Sequence, residues 1–202
     1  MSLCNVARMA RKGVAIRRDE IVLAALDQVR QRGIAGVRAA EVAKALDVST
    51  SLVFYHFGTL ENLIVEAFRH AAEADLAHLR EILADPGDVA KRLRAVLNWY
   101  GPTSKADGWL LWIEAWAASL RDTELRSVAQ RLDLRWREAV VALIAEGVGA
   151  GAFTCADPRA AAWRLTALLD GLAVQMVARD GAVTELECAE WLDQALRHEL
   201  RL

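Results

Sequence analysis

Thr50, Ser51, Leu52, Tyr55 and His56 fall within seven consecutive residues, with Ser49 directly ahead and Arg38 and Lys44 a few residues upstream. Hydroxyls and an imidazole in this pattern can read base edges, and guanidinium and ammonium groups can neutralise phosphates. Thr50, Ser51, Leu52 and His56 are expected at a groove floor. Arg38, Lys44 and Tyr55 are expected on the phosphate backbone. Arg8, Arg11, Lys12, Arg17 and Arg18 precede them in a segment whose first eighteen residues hold no acid. Residues 1–58 carry nine Lys/Arg against five acids, whereas the whole chain has a net charge of -2, so the body is acidic and only the front suits a polyanion.

A second group suits a small molecule. Trp99, Trp109, Trp112 and Trp116 lie within eighteen residues, and the last three share one helical face. With Glu114 and Gln175 they can form an aromatic pocket with a few polar groups, suited to an apolar ligand or to a cation over ring faces. The same rings can equally fill a core, and spacing leaves both readings open.

Catalytic chemistry finds no support. No nucleophile stands with a base, and no paired carboxylates share a face, so no catalytic residue, cofactor or metal is expected. His70 and His78 are eight apart without ligand partners. Gly147-Val148-Gly149-Ala150-Gly151 follows a helix and lacks the Lys-Ser/Thr ending of a phosphate loop, so it reads as a helix terminator. Cys4, Cys155 and Cys188 are odd in number and unpatterned, which fits a reducing cytoplasm. No signal peptide or membrane span is expected.

The elements that must place these residues are helices. Periodicity predicts an all-α chain of about nine, with a DNA-binding head over 1–58 and a helical body over 59–202. Ile21, Val22, Ala25, Leu26 and Val29 mark the first helix, after the basic arm, ending at Gly33. Helices at about 38–46 and 50–56 flank a tight turn at Asp47-Val48, with Ser49 as cap, a helix-turn-helix of the size that offers its second member to a major groove. A long helix over 60–83 links head to body and is the natural lever for a ligand-driven tilt. The last two helices carry Leu165, Leu168, Leu169, Leu172 and Met176, then Leu192, Ala195, Leu196 and Leu200, apolar enough to predict a four-helix homodimer interface.

Gly33, Val42-Ala43, Val48-Ser49, Tyr55-His56-Phe57-Gly58 and Leu63, in this order across residues 17–68, resemble the TetR (tetracycline-repressor) family of bacterial transcription regulators. The Trp-rich middle and Asp170-Gly171-Leu172 are similar to the branch containing choline-responsive repressors. The resemblance implies a homodimer on a palindromic double-stranded DNA operator, released by a small-molecule effector held in the body. Val37, Asp47, Ser51, Phe54 and Leu60 depart from the family pattern. Phe54 and Leu60 each remove a polar contact to the DNA backbone that Arg38, Lys44 and the arm would have to replace. An all-α protein-interaction module is the alternative.

Overall fold

Helix propensity decides the start of the chain. In the computed structural model, which describes residues 3–102, 106–179 and 182–201, helix α1 runs unbroken over Leu3–Arg32. The basic arm expected ahead of this helix is instead its first turns. Ala, Arg, Met and Lys dominate that stretch and favour helix, and no proline interrupts it. Gly33 ends α1 at φ 71°, with its N–H donating to the Val29 carbonyl at 2.8 Å.

A 3-10 turn over Ile34–Gly36 leads to α2 (Ala39–Ala45) and α3 (Thr50–Phe57). Between α2 and α3, Asp47 takes the left-handed conformation at φ 53°, as its short polar side chain permits. Gly58, at φ 74°, closes α3. Then come α4 (Leu60–Leu83), α5 (Val89–Tyr100), α6 (Ala106–Ser119), α7 (Thr123–Gly149), α8 (Pro158–Val177) and α9 (Glu185–Leu200). The described residues thus form nine α-helices and no strand.

Local chemistry fixes these limits. Asp157 caps α8 by accepting the Ala160 N–H at 3.0 Å, and Pro158 opens the helix where its missing N–H costs nothing. Thr184 and Glu187 form the reciprocal capping box of α9. The glycine run ends α7: a Cβ at Gly147 would lie 2.1 Å from the Phe153 ring, and Gly151 turns the chain at φ 73°.

The chain divides into two compact units. The first runs through Ala72 and takes in Glu114–Val128. Its core holds Ile21, Ala25 and Val29 of α1, Val42 of α2, Val53 and Phe57 of α3, and Leu63 and Phe68 of α4. The second comprises Glu73–Ile113 and the chain from Ala129 onward, with Leu93, Leu97, Val140, Ile144, Leu165, Leu169, Leu196 and Leu200 in its core. No helix of the described residues is long and apolar enough to cross a membrane.

Candidate nucleic-acid interface and ligand site

Apolar spacing orients α3. Val53 and Phe57 are buried, which leaves Ser51, Phe54 and Tyr55 exposed and Thr50, Leu52 and His56 half-buried on the remaining face. The Ser49 hydroxyl accepts the Leu52 N–H at 3.3 Å and lies 2.9 Å from the Ser51 hydroxyl, so Ser49 caps the helix. Tyr55 is 78% exposed, with its ring edge-on to His56 at 5.4 Å. Phe54, also exposed, adds an apolar group to this face. Lys44 points to solvent.

Arg38, though exposed, folds back on its own turn: its Nη1 donates to the carbonyls of Ala35 and Val37, both at 2.8 Å, so the guanidinium also braces the start of α2. Arg18 reaches the end of α3, 4.9 Å over the Phe57 ring, while bonding Glu66 of α4 at 3.2 Å. The side chains of Arg8, Arg11 and Lys12, expected at phosphates, lie outside the described residues.

The expected aromatic pocket is redistributed. Glu114 lies in the first unit, where its Oε2 accepts the Ile34 N–H at 3.0 Å, at the corner between α1 and α2. Trp116, half-buried, belongs to that same first unit. In the second unit Trp99 packs its ring 3.9 Å from that of His78, Trp112 is half-buried on α6, and Gln175 is half-buried on α8. Trp109 joins a different group. Its Nε1 donates to the Tyr100 carbonyl at 3.0 Å, and its ring meets that of Tyr100 edge-on at 5.6 Å. Trp136 meets the Tyr100 ring at 5.4 Å from α7.

Charge converges on the same tyrosine. The Tyr100 hydroxyl donates to Asp170 Oδ1 at 2.6 Å, and on α7 Arg137 donates to Asp133 at 2.6 Å while lying 3.5 Å over the Trp163 ring. Burial pushes the Asp170 carboxyl up to about 6, and the Asp133 charge adds to the rise; the Tyr100 hydroxyl bond and Arg137 oppose it. Burial, then the Asp170 charge and hydrogen bond, hold the Tyr100 hydroxyl well above its ordinary value. Tyr100, Trp136, Asp133, Arg137 and Asp170 were not among the expected site residues. The available signal was Asp170 itself, one acid inside the apolar run Leu165–Met176. A separate open groove of about 430 Å³ between α5 and α9 is lined by Arg94, Asn98, Asp193 and Arg197 among others, and both arginines are bonded to Asp193. None of the aromatic group lines it.

The expected dimer residues need correction. Leu165, Leu169, Leu172, Leu192 and Leu196 are buried inside the protomer, where α8 packs on α9; Leu200 is buried with them. Apolar periodicity had marked the inner faces of these helices. Leu168, Met176 and Ala195 keep partial exposure, and Trp163 at 51%, Leu186 and Trp191 are exposed.

Two family models match the chain. Residues 21–67 match the model of bacterial regulatory proteins of the tetR family, and residues 89–201 match the C-terminal model of BetI-type transcriptional repressors. The HTH-type transcriptional regulator BetI of Paraburkholderia xenovorans is 32% identical over 165 residues, covering 78% of this chain and 80% of the relative. A transcriptional regulator of Saccharomonospora viridis, solved in complex with choline, superposes with a TM-score of 0.85 at 24% identity over 92% of this chain and 98% of its own. The multidrug binding protein EbrR, complexed with proflavin, is 33% identical with a TM-score of 0.59, covering 89% and 99%.

Proposed function

We infer the function from one premise: the chain belongs to the TetR family of transcriptional regulators, and it is a DNA-binding regulator, not an enzyme. Release from DNA by an effector is typical of the family. On that basis the protein acts in the cytoplasm as a repressor whose head, residues 1–58, holds a palindromic operator half-site and whose body, 59–202, takes an organic cation that loosens the grip. Thr50, Ser51, Leu52 and His56 meet the groove, with Ser49 fixing the start of α3; Lys44, Tyr55 and the basic turns of α1 hold phosphates. Arg38 keeps part of its guanidinium for a phosphate while bracing α2.

The observation that carries the effector class is the Tyr100 cluster. Three aromatic rings meet beside a carboxylate, and Asp170 accepts from a neutral hydroxyl while Arg137 is bonded to Asp133. A cation entering there gains both ring faces and a partly desolvated negative charge. Choline and proflavin, bound by two structural relatives, are both organic cations, which supports the class.

A two-fold operator calls for a two-fold protein. The dimer surface is assigned to the outward sides of α8 and α9, through Trp163, Leu168, Met176, Leu186 and Trp191. Light scattering at micromolar concentration tests it: Trp163→Glu with Leu168→Glu should give a monomer, and a persistent dimer removes the assignment.

Titration with choline chloride, followed by tryptophan fluorescence and melting temperature, tests the effector class. Choline should quench and stabilise, while its uncharged isostere 3,3-dimethylbutanol should do neither. Equal responses to the two compounds would refute recognition of charge.

A further inference from the structure

Ile34 follows a glycine at φ 71°, which carries the chain away from α1. Gly33 N–H bonds back to Val29, but Ile34 N–H points to another helix altogether and finds Glu114 Oε2 at 3.0 Å, across eighty residues of sequence. A Cβ at Gly33 would lie 2.9 Å from Glu114 Oε1, so glycine serves the close approach as well as the turn. The corner that Glu114 grips is the base of the helix-turn-helix. From it the 3-10 turn runs to the buried Val37, then α2 begins, and α3 packs on α2.

Glu114 and the corner it holds belong to the same compact unit.

We propose that Glu114 is a positioning residue for DNA recognition, fixing the Gly33–Ile34 corner from which α2 and α3 follow.

The test uses the full chain and a fluorescein-labelled duplex selected by this protein from a random pool. Glu114→Ala should weaken the duplex about tenfold, as loss of a hydrogen bond to a charged acceptor would. Amide exchange at Ile34 should rise in parallel, while binding to an unrelated duplex stays unchanged. Glu114→Gln keeps an oxygen acceptor and should restore affinity to within about threefold. Wild-type affinity in Glu114→Ala overturns the positioning role, and a Gln variant as weak as Ala overturns the hydrogen bond as its means.

Discussion

Tyr55 leaves 78% of its surface to solvent on a helix anchored by Val53 and Phe57, whereas Tyr100 lies among two tryptophan rings with its hydroxyl 2.6 Å from Asp170. The first tyrosine keeps its hydrogen-bonding capacity for something outside the chain. The second is half-buried, and its desolvated hydroxyl is satisfied by Asp170, because an unpaired polar group shielded from water is costly. On α3, then, recognition and stability are separable, since the residues proposed to read DNA contribute little to the core. Around Tyr100, the proposed cation site, the two are entangled, and a change in charge there should register in binding and folding together.

Asp170 is where that contrast breaks most visibly. Asp170→Ala should cut choline affinity about a hundredfold by titration calorimetry, since a charge partner and the anchor of the Tyr100 hydroxyl are both lost. Duplex affinity without choline should stay within about twofold of wild type.

Acidity gives a smaller effect of known sign. With its carboxyl raised to about 6, Asp170 is protonated below that pH, and a cation must then displace the proton. Choline affinity should rise about tenfold between pH 5 and pH 7, flatten above, and in Asp170→Asn lose this dependence. In the ligand-free protein the sign reverses. The unfolded carboxyl titrates near its ordinary value of about 3.9, so the folded state holds the proton more tightly, and stability falls as pH rises from about 4 to about 6 and is level above.

At the exposed face the pattern is the converse. Tyr55→Ala should weaken the selected duplex about fivefold in anisotropy titrations, in line with one lost backbone contact, while stability changes by less than about 0.5 kcal/mol. A melting temperature that dropped with the affinity would show that the head is no more separable than the body.

Most of the helical layout was legible because it rests on local rules. Gly33, Ser49, Asp157-Pro158 and the Thr184–Glu187 box stand where capping chemistry places them, and Asp47 takes the turn its side chain tolerates. The face of α3 was legible for the same reason: once two inward positions are known, the period of the helix assigns the others. The body was harder to read. Tryptophans adjacent in sequence were assigned to one pocket, yet Tyr100 draws its partners from α6, α7 and α8, contacts that no spacing within one helix encodes. Leucine stripes on α8 and α9 marked the sides that face each other, because a helix fills its own core before offering anything to a second chain. Glu114 was misplaced for a simpler reason: its partner is a backbone N–H, which no side-chain pattern reveals.

The protein is proposed to read DNA with α3 and an organic cation with the Tyr100 cluster, the second event weakening the first. The direct measurement is anisotropy of the selected, labelled duplex at fixed salt while choline chloride is titrated into the complex, alongside tryptophan fluorescence of the protein alone. Choline should raise the duplex Kd at least about fivefold, a typical coupling between sites, with a concentration dependence accounted for by its affinity for the protein alone and for the complex. A duplex Kd unchanged while fluorescence reports a saturated body would contradict the account.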